Sequence, residues 1–379
     1  MLFTANKNKL PSPKKPDGTR ARVFVGMSGG VDSSVSAVLL KKAGFDVTGV
    51  HIEVYHPPEL ECNWRDERLD AIKVCEKIGI PFLDCDLQAE YKKDVFDYMV
   101  ETYKKGETPN PDVFCNKYVK FGGFLDFALK NGADYIATGH YAQHQFSKED
   151  ADEMLKGVDH NKDQTYFLWT MPQEKLQKVL FPIGHLEKKK VRKLAEKYDL
   201  HNQNKKDSQG ICFLGHVDIK EFLAEHVRQE PGKVLNTNGT VIGTHPGVLS
   251  FTIGERHGFS IDPAHKTPDM PKLFVVSKDI EKNTITVGSK DILEKQSEQN
   301  TVLTLEQCNW ISGNPDPNKK YQGRIRYRGT LLPCTLVAGP VGTWQAQFET
   351  PHAAVAAGQS AVFYDDDVCI GGGVIAATK

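Results

Sequence analysis

The chain has 379 residues, with 48 Lys+Arg against 49 Asp+Glu (formal net charge −1), 39% hydrophobic and 26% charged. That length is about two and a half times a ~150-residue domain, so two or three cores are expected; one minimal domain is excluded, and so is disorder throughout. Near-neutral charge excludes a global basic field, so any nucleic acid must be held by local patches.

Residues 1–20 hold Lys7, Lys9, Lys14, Lys15 and Arg20 against Asp17, with little apolar content, and are expected to form a disordered tail. No secretory signal and no run near the ~18 apolar residues of a membrane span is visible, so a cytoplasmic protein without membrane contact is expected. From Arg22 the pattern alternates. Val23-Phe24-Val25 reads as a buried strand, followed by a Gly/Ser turn and a helix carrying Val31, Val35, Val38 and Leu39. Residues 47–52 read as the next strand, Leu69/Ile72/Ile78 as a helix stripe, Phe82-Leu83 as a strand, 95–103 as a helix and Tyr135-Ile136-Ala137 as a strand. This predicts an α/β domain with a parallel sheet, helices on both faces and ligands at the strand carboxyl ends.

Residues 164–226 are expected to be helical, with Val191, Leu194, Ala195 and Tyr198 as one stripe, completing a first domain over 21–228. Asn238-Gly239 between Val234-Leu235 and Val241-Ile242 signals a hairpin and opens a small β-rich domain over 229–293. From 294 to 379 a C-terminal β-barrel is expected: Arg324-Ile325-Arg326-Tyr327-Arg328 alternates with period two, and Asp365–Asp367 makes a turn.

The turn after the first strand, Gly26-Met27-Ser28-Gly29-Gly30-Val31-Asp32-Ser33-Ser34, offers close backbone approach, open amides at a helix start and hydroxyl donors. All suit a phosphate, and the lysine of a Walker-type site is missing. A plain αβ connection is the bland alternative. Two of the eight cysteines stand in polar, glycine-rich surroundings. Cys115 follows Pro109-Asn110-Pro111-Asp112-Val113-Phe114 and precedes Asn116-Lys117; Cys212 lies in Lys206-Asp207-Ser208-Gln209-Gly210-Ile211-Cys212-Phe213. Nearby lysines and a helix start favour thiolate, whereas the alternative is a small buried hydrophobe. The cysteines lack C-x-x-C pairs, so neither a disulfide framework nor a permanent metal is expected, and Cys62 with His56 lacks visible further ligands. Residues 187–206 carry eight Lys/Arg (188, 189, 190, 192, 193, 197, 205, 206) against three acids and read as an RNA-facing strip or a solvated helix face.

The S-G-G-V-D-S string resembles the pyrophosphate loop of the ATP pyrophosphatase (PP-loop) superfamily. With P-N-P-D-x-x-C-N, A-T-G-H-Y (137–141), K-D-Q-T-Y-F-L (162–168), K-D-S-x-G-I-C-F (206–213) and G-Q-S-A-V-F-Y (358–364) in order, the chain resembles the tRNA-specific 2-thiouridylase family (MnmA/TrmU) over about residues 22–376. The resemblance implies ATP-dependent adenylation of O2 of the wobble uridine and transfer of persulfide sulfur to C2, giving 2-thiouridine, AMP and pyrophosphate. It implies that ATP, with Mg²⁺, meets Gly26, Met27, Ser28, Gly29, Gly30, Val31, Asp32, Ser33, Ile52 and Gly139. Cys212 would carry the persulfide and Cys115 would free the sulfur through a transient Cys115–Cys212 disulfide. Asp112 would be the acid/base, and Asn110, Pro111 and Asp112 would meet the target base. His140, Lys162, Asp163, Gln164, Arg326, Tyr327 and Gln359 would contact tRNA. The implied partners are tRNAs for Glu, Gln and Lys and a cysteine desulfurase or sulfur-relay protein. Here His51-Ile52-Glu53-Val54-Tyr55 stands where many members have Met and then Trp, so only a main-chain adenine contact is carried over. The alternatives are another PP-loop ligase or amidotransferase acting on a small molecule, which needs no paired cysteines, and a catalytically silent tRNA binder, which needs no intact loop.

Overall fold

The structure, a computed structural model, describes residues 10–57, 64–147, 151–207, 225–227, 230–297, 301–352 and 355–376. Strands β1 (Arg22–Gly26), β2 (Asp46–Glu53), β3 (Phe82–Asp86), β4 (Tyr135–Ala137) and the two-residue β7 (Val179–Leu180) form a parallel sheet ordered β3-β2-β1-β4-β7. Side chains alternate across it. Phe24, Val50 and Ile52 enter one core, while Val23, Val25, Val47 and Ala137 enter the other, so both faces are covered as near-continuous apolar strands require. Helix α1 (Val31–Ala43) stops at Gly44, whose φ of 98° lets its N–H reach the carbonyls of Leu40 and Lys41. Chain order reverses direction across β1, which lies between β2 and β4, so a crevice opens at their carboxyl ends.

Between β4 and β7 the hairpin β5 (Ala142–Gln145) and β6 (Glu153–Lys156) leaves this sheet. Strands β8 (Gly232–Leu235), β9 (Val241–His245), β10 (Ser260–Ile261), β11 (Phe274–Asp279) and β12 (Thr284–Gly288) build the small second sheet, with Val234, Ile242, Phe251, Val275 and Ile285 in its core. Asn238-Gly239 is the β8–β9 turn: Gly239 has φ 82°, and the Asn236 side chain accepts from the N–H groups of Asn238 and Thr240. Strands β13 (Val302–Trp310), β14 (Tyr321–Arg324), β15 (Leu332–Ala338), β16 (Trp344–Phe348), β17 (Ser360–Asp365) and β18 (Val368–Ile375) run β13-β16-β15-β14-β17-β18 and close through β13–β18 into a six-stranded antiparallel barrel. On β18, Val368 also pairs with Leu155 of β6, so a hairpin of the first domain joins the barrel wall.

Four expectations are corrected. Residues 10–20 of the expected tail are placed, with Lys15 paired to Asp134, the Ala21 N–H on the Pro13 carbonyl and Leu10 against the core; prolines limit what this segment loses in entropy on ordering. Helix α2 (Trp64–Ile78) buries Ala71, Val74 and Cys75, and Leu69 faces solvent at 49% exposure. Residues 164–207 are mostly turns around β7, a short helix (Gln173–Leu176) and helix Lys188–Lys197; 208–224 lie outside the described residues. Arg324, Arg326 and Arg328 do not share a strand face, because β14 ends at Arg324, the Gly329 N–H turns back to the Arg326 carbonyl and Arg328 has φ 60°.

Burial depresses the imidazoles of His51, His56, His140, His144, His185 and His245 below their ordinary range. An unfolded chain then binds more protons near and below its ordinary histidine pKa of about 6.5, so this stabilisation is complete above that pH and is lost as pH falls. Ion-paired Asp207, at about 2, stays ionised across the same interval. Thermal melts should show a falling Tm from about pH 7.5 to about pH 5.5, an interval that brackets the ordinary histidine value; a constant or rising Tm would contradict this.

Candidate functional site

The glycine-serine loop sits at the crevice, between the end of β1 and the start of α1. Gly29 has φ 67°, and a Cβ there would lie 2.4 Å from the Glu67 carbonyl oxygen, so neither conformation nor space admits another residue. The hydroxyls of Ser33 and Ser34 turn inward to the Gly30 carbonyl, at 3.2 and 2.8 Å. Gly139, just past β4, backs onto the loop, since its Cβ would fall 2.7 Å from the Ser33 nitrogen. Ile52 and Met27 are buried beneath, and Ser28 is exposed at the rim. Behind the loop, buried Asn202 donates to the Gly29 carbonyl and the Ser34 hydroxyl, both at 2.9 Å.

Asp32 has two partners: the Tyr141 hydroxyl at 2.9 Å and the Lys188 ammonium, 2.8 Å from both its carboxylate oxygens. Lys188 also reaches Asp207 at 2.8 Å, and Asp207 takes Arg192 at 2.8 Å and Lys162 at 2.5 Å. Burial alone would raise Asp207, but the hydrogen bonds from Lys162 and Lys188 carry it down to about 2. Burial, then the nearby Asp32 carboxylate, pushes Tyr141 above its ordinary value, so it donates as a neutral phenol. Lys188 therefore belongs to the loop and not to an RNA-facing strip. Its side chain is only 12% exposed, whereas Lys189, Lys190, Lys193 and Lys197 are exposed or half-exposed. Periodicity shows which face of a helix is apolar; it does not show that the first lysine bends back over a helix end toward two carboxylates.

The second group lies on the segment from Thr108 to Lys130. Asn110 immediately precedes α3 (Pro111–Phe114), which passes into a π-helical stretch Cys115–Gly123 and then α4 (Phe124–Lys130). Asn110 is buried, Pro111 and Asp112 are half-buried, and Cys115 is fully buried. Phe114 stacks on Tyr98 at 3.9 Å, and the Asn116 amide donates to the Phe167 carbonyl at 3.0 Å, pinning the turn either side of the thiol. The Lys117 ammonium, close by in sequence, lies over the rings of Tyr118 and Phe114. Phe124, nine positions after Cys115 and just past the end of this π-helical stretch, abuts Gly26 of the loop: a Cβ on Gly26 would lie 3.4 Å from its ring. Cys212 and Cys62 lie outside the described residues, so the Cys115–Cys212 pairing is not placed. Among described cysteines, burial raises Cys75 to about 11 and Cys85, Cys308, Cys334 and Cys369 to about 12, as for inert core thiols.

Several residues expected to touch tRNA are engaged inside the protein. His140 is buried among Phe121 and Phe181 with Nδ1 2.8 Å from the Thr138 hydroxyl, and burial holds its ring neutral. Asp163, 2% exposed, accepts from the N–H of Gly157, from Thr165 and from Arg324 of the barrel. Gln164 accepts from the Tyr141 N–H, and the Gln359 amide donates to the carbonyls of Thr108 and Pro109. Tyr327 packs on Phe167 at 4.5 Å, and Arg326 is exposed.

Residues 21–216 match the tRNA methyl transferase HUP domain, 220–289 the tRNA methyl transferase PRC-barrel domain and 300–375 the aminomethyltransferase beta-barrel domain. The chain is 44% identical over 360 residues to the tRNA-specific 2-thiouridylase MnmA of Francisella tularensis subsp. tularensis (strain WY96-3418), covering 93% of this chain and 99% of that one. It is 43% identical, with the same coverage, to the protein of that name in Francisella tularensis subsp. novicida (strain U112). Among solved structures, the U34-tRNA thiolase NcsA from Methanococcus maripaludis is similar at 18% identity and a TM-score of 0.36, over 56% of this chain and 67% of that chain.

Proposed function

Since the chain belongs to the tRNA-specific 2-thiouridylase MnmA family, we propose a residue-level course for the reaction that membership assigns to it. It is an ATP-using tRNA-uridine 2-sulfurtransferase. The loop Gly26–Ser33, backed by Gly139, takes the triphosphate, with Asp32 organising Mg²⁺ and Lys188 balancing phosphate charge. Ile52 lies where the adenine would enter. Asn110, Pro111 and Asp112 hold the uracil, and Asp112 manages its proton. Uracil O2 attacks the α-phosphorus and pyrophosphate leaves, which converts a poor leaving oxygen into AMP. The terminal sulfur of a Cys212 persulfide then attacks C2 and AMP departs. Cys115 thiolate attacks the Cys212 sulfur, leaving the transferred sulfur on C2 and a Cys115–Cys212 disulfide, which a thiol reductant reopens.

The observation that carries this reading is the loop at the strand-order switch: a turn that at Gly29 only glycine can build, bridged by Asp32–Lys188–Asp207. Asp207, the last described residue before Cys212, lies five positions ahead of it in sequence. A fixed cation beside a glycine-built loop suits the phosphate charge that develops in adenylation. Arg326 and Tyr327, with Lys189 and Lys190, are proposed to meet tRNA; tRNAs for Glu, Gln and Lys, a cysteine desulfurase or relay donor and a cytoplasmic site complete the proposal. Among the described residues, no helix is long and apolar enough to cross a membrane and no three-residue metal-ligating group occurs.

Nucleoside mass spectrometry of unmodified tRNA incubated with the chain, Mg·ATP and a persulfide donor tests it. ATP-dependent 2-thiouridine with equimolar AMP and pyrophosphate is expected. AMP formed only with a small-molecule acceptor would move the chain to another ligase class.

A further inference from the structure

Pro109 and Pro111 remove two N–H donors from the loop ahead of Asp112 and Cys115; the Asn110 carbonyl is met by the Phe114 N–H of the following helix, whereas the Thr108 and Pro109 carbonyls take donors from elsewhere. The barrel supplies them. The Gln359 amide donates to the carbonyls of both Thr108 (3.1 Å) and Pro109 (2.9 Å). Gln359 is itself fixed, its carbonyl accepting from the Ile375 N–H at 2.8 Å and its N–H donating to the Ala356 carbonyl. Beside it the Thr108 N–H donates to the Ala357 carbonyl at 2.8 Å, and Gly358, at φ 88°, lets the chains meet: a Cβ there would lie 2.8 Å from the Thr108 oxygen. The central domain adds the Thr252 hydroxyl, 3.0 Å from that of Thr108.

We propose that Gln359 is a positioning residue, which sets Asn110, Asp112 and Cys115 from the barrel by holding the Thr108-Pro109 backbone. The proposal rests on the function given above and goes beyond a direct tRNA contact: both amide hydrogens are committed to loop carbonyls, which leaves only the side-chain oxygen to face RNA. Small displacements at a reacting centre are expensive: about 1 Å can cost about 10²-fold in rate.

Gln359→Ala and Gln359→Glu in the full chain test it. At saturating tRNA and ATP, kcat for 2-thiouridine should fall by about 10- to 100-fold, with the tRNA Kd from filter binding little changed. Glutamate should not rescue, since a carboxylate donates nothing to a carbonyl. Without tRNA, alkylation of Cys115 by iodoacetamide, mapped by peptide mass spectrometry, should accelerate as the loop opens. Gly358→Ala should reproduce all three results, although a methyl group offers RNA no polar contact; circular dichroism checks that each variant is folded. A weakened Kd with wild-type kcat restored at high tRNA, or unchanged alkylation, would overturn the positioning role. A wild-type chain that makes no 2-thiouridine would instead overturn the proposed function, and the alkylation comparison would still decide the clamp.

Discussion

Cys115→Ser is expected to abolish free 2-thiouridine while leaving the first turnover of tRNA-dependent pyrophosphate release within a few-fold of wild type. In the proposed course the two steps use different atoms: adenylation would need the loop and the uracil, whereas release of sulfur would need a second thiol to take the Cys212 sulfur. Serine keeps the shape of this fully buried side chain and adds a more polar hydroxyl, so a modest loss of stability and a retained fold are expected. Its hydroxyl stays protonated near neutrality and does not displace a disulfide sulfur. If the persulfide attacks C2 before Cys115 acts, the variant should accumulate tRNA linked through –S–S– to Cys212, seen as a slow gel band that dithiothreitol removes. Thiouridine at the wild-type rate would eliminate Cys115 from the chemistry. Cys212→Ser should give neither thiouridine nor adduct.

Lys188→Met should lower pyrophosphate release by about 10²- to 10³-fold, the scale of removing one fixed donor from developing oxyanion charge. Methionine retains most of the buried stem and removes only the charge, which otherwise sits 2.8 Å from both Asp32 and Asp207. Without it the loop would present two carboxylates and no nearby balancing ammonium from this helix to an incoming triphosphate. The tRNA Kd should be unaffected. Lys189→Glu with Lys190→Glu, on the outer side of the same helix, should do the reverse. It should weaken tRNA binding and flatten its dependence on log salt by a slope of about 0.9 for each phosphate the lysines no longer neutralise. A Lys188→Met chain with normal pyrophosphate release but poor tRNA binding would return this residue to an RNA-facing role.

The parallel sheet was legible because buried strands such as Val23-Phe24-Val25 are apolar on both faces and are followed by glycine-rich turns. The β8–β9 hairpin was legible because Asn-Gly between two apolar pairs supplies a residue free to take positive φ, as Gly239 does at 82°. What stayed hidden is long-range. A strand of two residues, Val179-Leu180, has no period to detect, and the polar strand Ala142–Gln145 gives only a weak alternation. The alternating Arg324–Arg328 pattern imitates a strand that a left-handed residue breaks. At the site, residue types were readable from the motifs, but partners were not: Lys188 with Asp32, Asn202 with Gly29 and Gln359 with Pro109 are each separated by more than 150 positions.

The seam where β6 meets β18 bears on how such a chain can change over time. Tyr166, Leu168 and Trp169 of the first domain share one apolar core with Val362, Tyr364 and Cys369 of the barrel, and the Asp163–Arg324 pair is buried alongside. Cutting the chain there would bare an open strand edge and a broad aromatic patch, both of which invite aggregation. Three folds lie along the sequence, yet the barrel is not an exchangeable module. New substrate preference is therefore more readily acquired by substitution in exposed loops than by recombining whole domains.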